Sequence, residues 1–172
     1  MKKITILLIS ALFALVSLDA SAQFSWKNIK PAAEADAAVT LPMGYVFSGS
    51  AGVKISDRLV FGVGGAYFNE HFDSVSSDVH LASAYFWNRY YFLRSNGKRS
   101  AFYTDLKIGA SIVTNNPRQD PDDPSRIDDK GDLRPYLRLA LGYRIAIHKD
   151  FGLNIGPNIG TDGFGIHLGF SL

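Results

Sequence analysis

The end of this chain alternates strictly. Phe164, Ile166, Leu168, Phe170 and Leu172 are apolar, and Gly165, His167, Gly169 and Ser171 between them are small or polar. A period of two is the signature of a β-strand whose two faces differ in chemistry. The segment before it repeats the pattern, with Phe151, Leu153, Ile155 and Ile159 against Gly152, Asn154, Gly156, Asn158 and Gly160. So does the one before that, where Leu137, Leu139, Leu141, Tyr143, Ile145 and Ile147 oppose Tyr136, Arg138, Ala140, Gly142, Arg144 and His148. A chain patterned this way builds a sheet with one apolar and one polar face. The open question is which face points outward.

The amino end bears on the answer. Lys2 and Lys3 precede an apolar run from Ile4 to Leu18, and Ala20-Ser21-Ala22 supplies the small residues a signal peptidase reads. Residues 1–22 are predicted to be a cleaved secretory signal peptide. The run is shorter than the roughly 20 residues a spanning helix needs. Residues 23–30 then form a periplasmic N-terminal segment and 31–172 the folded domain. With no cysteine in the chain, neither a disulfide nor a cysteine-linked lipid holds the protein. Without Lys2, Lys3 and Asp19 the chain has 16 basic and 15 acidic residues. That balance is too even for a nucleic-acid partner.

Eight segments read as strands, at about 31–40, 44–55, 59–69, 80–93, 101–113, 134–148, 151–160 and 163–172. Their connections differ in character. Ser56-Asp57-Arg58, the stretch around Asn96-Gly97, and His148-Lys149-Asp150 are short turns, whereas 69–79 and 114–133 are long and polar. An even strand count puts both chain ends on one side, with the short turns there and the long loops opposite. Short turns on one side and long loops on the other is the pattern of outer-membrane barrels. An open edge in lipid would leave backbone groups unpaired, so the sheet must close. The expected fold is all-β: an eight-stranded antiparallel up-and-down transmembrane β-barrel.

The mid-strand charges then share one face: Glu34, Asp36, Lys54, Arg89, Asp105, Lys107, Arg138 and Arg144. Buried charge is costly unless paired, so these residues, with His167, are predicted to form an interior ion-pair network that is structural, not catalytic. Strands eight and one meet at closure, which makes Glu34 or Asp36 the expected partner of His167. An eight-stranded barrel is just wide enough for side chains to fill. Tyr85, Trp87, Arg89 and Tyr91 on the fourth strand are expected to fill the room left by Gly165 and Gly169 on the eighth. Placing Arg89 inside leaves Asn88 facing lipid, the one misfit in this register. Outward aromatics near strand ends (Tyr45, Tyr67, Tyr90, Phe92, Tyr143, Phe151 and Phe164) suit interfacial girdles, although β-propensity alone also favours them.

The stretches FGVGGAYF at 61–68, AFYTDLKIGA at 101–110, 136–147 and the closing FGIHLGFSL resemble the small eight-stranded outer-membrane β-barrel family that includes OmpX-like proteins and the transmembrane domain of OmpA. The resemblance covers the whole mature chain. It implies residence in a Gram-negative outer membrane, among outer-membrane lipid and lipopolysaccharide. It also implies insertion by the barrel-insertion machinery, for which Phe170 and Leu172 form the carboxy-terminal signal. Leu172 departs from the commoner terminal aromatic. The family is associated with envelope integrity, adhesion and surface interaction.

Chemistry is sparse. His71, His80, His148 and His167 have no metal-ligand spacing; His71 and His80 with Asp73 and Asp78 are read as solvated loop residues. A lipid-A acyl hydrolase needs serine, histidine and acid together on the outer rim. His80 and Ser83 fall on opposite strand faces, and His167 and Ser171 point inward, so neither pair suits that reaction. The loop 115–133 carries Asp120, Asp122, Asp123, Asp128, Asp129 and Asp132 against Arg118, Arg126 and Lys130. Its carboxylates are candidates for binding calcium or for bridging lipopolysaccharide phosphates through cations, but their order is not that of an EF-hand; a solvated outer loop is the favoured reading. No cofactor is expected. The function expected is a non-enzymatic envelope structural or surface-interaction role, with an unknown surface ligand at the loops. A narrow pore, a lipid-modifying enzyme and a soluble periplasmic ligand-binding barrel are the alternatives.

Overall fold

A computed structural model describes residues 29–41, 44–70, 79–94, 100–115 and 131–172. The signal peptide, the Asn96-Gly97 turn, His71, Asp73 and Asp78, and Asp120, Asp122, Asp123, Asp128 and Asp129 lie outside the described residues.

Eight strands form: β1 (Lys30–Leu41), β2 (Gly44–Lys54), β3 (Leu59–Glu70), β4 (Val79–Arg94), β5 (Ala101–Asn115), β6 (Leu133–Ala146), β7 (Gly152–Gly160) and β8 (Gly163–Ser171). Each pairs antiparallel with the next, and β8 closes on β1 through pairs from Glu34↔Ser171 to Leu41↔Phe164. The up-and-down barrel expected from the alternation is therefore the fold. The largest boundary differences are of two residues: β5 runs on to Asn115 and not 113, and β6 stops at Ala146 and not at 148. There the amides of Ile147 and His148 both donate to the Phe151 carbonyl, which closes a turn and ends the ladder. The turn into β8 depends on Gly163, whose φ of +100° suits a residue without Cβ.

The faces are inverted relative to a water-soluble sheet. Val39, Phe86, Ile166 and Leu168 are exposed on the outside, whereas Arg89 is 1%, Lys107 3% and Arg138 2% exposed inside. The register with Arg89 inside holds for the whole of β4, since Ser83, Tyr85, Trp87, Arg89 and Tyr91 are all buried. Asn88 lies half-buried on the outer face between Phe61 and Leu106, where the sequence placed it.

Strands β4 and β8 are not neighbours, and Tyr85 of β4 packs locally. Tyr85 folds over Gly64 on adjacent β3, and its hydroxyl lies 3.1 Å from the Gly49 carbonyl and 3.0 Å from Ser50 Oγ. Residues Gly165 and Gly169 are instead closely approached by the backbone of β1. The aromatic that reaches β8 comes from β5: Tyr103 occupies the space over Gly142 and meets His167. Local strand-to-strand relief therefore fills the barrel. A leucine at Gly142 would overlap the Tyr103 ring, and overpacking of that kind costs about 1–3 kcal/mol. Gly142→Leu is expected to lower the denaturant midpoint of the folded barrel, whereas Leu141→Ile on the outer face leaves it nearly unchanged.

Candidate functional site

The polar constellation of the described residues lies inside the barrel at mid-height. The alternation aims every second residue inward, and closure brings β1 opposite β4, β5 and β6. In the ladders Arg89 sits opposite Asp105, and Lys107 sits opposite Arg138. The first is a favourable pair. The second puts two cations side by side, which is destabilising without a counterion.

Strand β1 supplies that counterion from across the lumen. Asp36 Oδ2 accepts from Lys107 Nζ at 2.6 Å and its Oδ1 from Arg138 Nη1 at 3.1 Å. Ser48 Oγ donates to Asp36 at 2.5 Å while accepting from Lys107 at 2.8 Å. Glu34 completes the set: it pairs with Arg89, lies 3.5 Å from Lys107 Nζ and accepts from Asn154 Nδ2 at 2.9 Å. Asp105 holds Arg89 Nη2 and Trp87 Nε1, each at 2.6 Å.

Aromatic faces take over where hydrogen bonds run out. Arg89 Nε and Nη1 have no hydrogen-bond partner, but the guanidinium carbon lies 4.1 Å from the centre of the Tyr103 ring and 5.4 Å from that of Trp87. A desolvated cation over a ring face gains up to about 2 kcal/mol. The space left between Asp36, Asp105, Lys107, Arg138, Ala140 and His167 is a cavity of about 10 Å³. That is the size of one water molecule.

Six of the expected network residues (Glu34, Asp36, Arg89, Asp105, Lys107 and Arg138) therefore meet in one cluster. Three do not join its ion pairs. Lys54 lies at the turn end, 3.8 Å from Asp57, half in water. Arg144 is also at that end, donating to Ser171 Oγ at 3.0 Å and to the Asp150 carbonyl at 3.1 Å. Both lie on the inward face, at the turn end and away from the mid-height cluster. His167 is buried among the cluster, but its Nε2 pairs with Tyr103 Oη at 2.7 Å instead of with Glu34 or Asp36. Its direct cross-strand neighbours are Ala38 and Gly156, so neither β1 carboxylate faces it.

Asp162, in the connection between β7 and β8, is not among the expected network residues. It is buried, with Oδ2 3.5 Å from Arg138 Nε. Burial holds its carboxyl above the ordinary range, against the lowering effect of Arg138. Its position directly before β8 gives no sign of this, because the contact with Arg138 of β6 depends on the tertiary path of the β7–β8 turn.

The candidates for chemistry are dispersed. Ser83 Oγ pairs with Ser111 Oγ at 2.7 Å inside, while His80 Nδ1 meets Tyr67 Oη at 2.9 Å outside. Among the described residues no three His, Cys, Asp or Glu side chains are grouped to hold a metal ion. Asp132, at the edge of the acidic loop, is exposed.

No protein-family model and no curated protein matches the chain. Among solved structures, it is similar to the N-terminal β-barrel domain of Pseudomonas aeruginosa OprF, with a TM-score of 0.55 at 15% identity over 84% of this chain and 96% of that domain. It is also similar to Neisserial surface protein A (NspA), with a TM-score of 0.50 at 17% identity over 84% of this chain and 94% of that one. At these identities the likeness is one of fold.

Proposed function

We propose that this chain is an exported outer-membrane β-barrel protein of a Gram-negative bacterium, with a structural or surface-interaction role in the envelope and no catalytic activity. The observation that carries the reading is the inversion: a closed barrel with apolar rows outside and paired charges within. A soluble ligand-binding barrel would need a polar exterior, and the outer rows of Leu, Ile and Phe do not provide one. The interior argues against the pore reading, because Glu34, Asp36, Arg89, Asp105, Lys107 and Arg138 fill the lumen at mid-height with buried, paired side chains. That NspA is a surface protein supports extending a surface role to a chain of the same fold. In this reading the amino-terminal leader is removed on export, and Phe170 and Leu172, both on the outer face, are displayed to the barrel-insertion machinery. The loop 115–133 meets lipopolysaccharide or a surface ligand.

The protein is expected to resist extraction from envelopes by salt, to dissolve in detergent, and to migrate differently on a gel before and after boiling. In planar bilayers it is expected to give no steady conductance; long-lived, large, uniform steps would replace this reading with that of a pore. For the surface role, a strain carrying a variant without residues 116–132 is compared with a full deletion. Surface binding lost in both, with envelope permeability changed only in the full deletion, is the expected outcome.

A further inference from the structure

Among the described residues the buried charges do not cancel. Glu34, Asp36, Asp105 and Asp162 stand against Arg89, Lys107 and Arg138, four carboxyl groups against three cations. The first three acids are engaged. Asp105 accepts from Arg89 and Trp87, and Asp36 from Lys107, Arg138 and Ser48. Glu34 accepts from Asn154 and pairs with Arg89. Those three acids already balance the three cations, and Asp162 is the surplus. It is buried, yet neither of its oxygens accepts a hydrogen bond.

The surroundings of Asp162 hold no cation that is not already shared. Its carboxyl group lies over Gly160 of β7, where a Cβ would come within 2.7 Å of Oδ1; the glycine leaves room for it to turn inward. Gly160 is paired with Arg138 of β6, whose Nε is 3.5 Å from Oδ2 but whose Nη1 is held by Asp36 of β1. Lys107 of β5 is likewise committed to Asp36. Two residues along the same inward faces, Tyr136 Oη of β6 and both amide atoms of Asn158 of β7 are buried without hydrogen-bond partners, and both groups are neutral. His167 of β8 meets Tyr103 through Nε2, and its Nδ1 has no partner. An imidazolium there would bury an unanswered N–H, so the fourth positive charge is not placed on it. A buried acid without a partner of its own keeps its proton instead of ionising.

From this geometry we propose that Asp162 is held in its neutral, protonated form in the barrel mouth, and that the β7–β8 turn is a latch that releases when the proton is lost. Burial acts in the same direction, holding this carboxyl above the ordinary range. An acid whose folded value lies above its unfolded one stabilises fully below the unfolded value, and that contribution is lost as pH rises through the folded one. The latch is therefore closed in acid and loosened in base. Only Thr161 and Asp162 join the two strands, and the Thr161 amide donates to the Leu137 carbonyl at 2.8 Å. The ionised carboxylate reaches water by giving up that contact while both ladders stay intact. The inference goes beyond the envelope role; in the outer-membrane reading the loop end meets the external medium, which then sets the state of the latch.

The test uses the whole chain in detergent micelles with 13C-labelled aspartate carboxyl groups, the Asp162 resonance being the one missing from Asp162→Asn. That resonance is expected to titrate above the ordinary carboxylate range. Protection of the Thr161 amide from hydrogen exchange is expected to fall across the same pH step in the wild type and to persist in Asp162→Asn. The denaturant midpoint of the variant is expected to match the wild type below the step and to exceed it above, since only the wild type then buries the surplus charge. Titration of Asp162 within or below the ordinary range overturns the inference. So does an Asp162→Asn midpoint below that of the wild type above the step, which would make Asp162 an ion-pair partner of Arg138. Neither result touches the membrane reading, which fails on extraction instead.

Discussion

Asp36→Ala is expected to lower the unfolding free energy of the barrel by about 3–5 kcal/mol, the cost of leaving buried charge without its partner. Among the described residues Asp36 is the one group that holds both Lys107 and Arg138, which are adjacent in the β5–β6 ladder. Its removal leaves two like charges side by side in the buried interior, with only the more distant Glu34 and Asp162 carboxyl groups, each at 3.5 Å, to answer them. Ser48→Ala, which removes only a hydroxyl that bridges the same pair, is expected to cost about 1 kcal/mol. Replacing Asp36, Lys107 and Arg138 together by apolar residues of similar volume should recover most of the loss, since buried ion pairs are often no better than good apolar packing. Urea titrations of the folded protein in detergent micelles measure all three. An Asp36→Ala cost below about 1 kcal/mol would mean that water reaches the cations and that the interior is not sealed.

The second large effect belongs to the outer face. Leu168 is near the middle of β8, between Ala37 and Ile155 on the flanking strands. Leu168→Arg is expected to destabilise the barrel in lipid by about 2–4 kcal/mol, the depth-dependent cost of a charge at mid-bilayer. Leu133→Arg, at the loop end of β6, is expected to cost about 0–1 kcal/mol because arginine there reaches the interface. The contrast between the two sites is the informative quantity. Equal, small effects at both would place this face in water.

The period of two was enough to assign nearly every side chain to a face, including the difficult β4, because a strand offers only two choices and each charge decides between them. It was not enough to name partners. Asp36 meets Lys107 and Arg138 across sequence separations of 71 and 102 residues, and those meetings depend on strand stagger, which follows from closure and not from any local pattern. The same gap explains His167. Knowing that β8 meets β1 suggested a carboxylate partner, yet the stagger sets His167 beside Ala38 and sends it to Tyr103 instead. Lys54 and Arg144 had the right face at the wrong depth. Glycines were legible as vacant space, but not as whose: Tyr85 and Tyr103 use the vacancies of the adjacent β3 and β6, at Gly64 and Gly142.

The most direct test of the inversion uses the absence of cysteine from the chain, which allows a single nitroxide label at Leu139, Ile155 or Leu168 without further changes. In reconstituted vesicles, collisions with oxygen, which concentrates in lipid, are expected to be frequent at all three sites. Collisions with a water-soluble nickel chelate are expected to be rare. Frequent nickel collisions, or labels shielded from both reagents as in a packed core, would contradict a lipid-facing exterior.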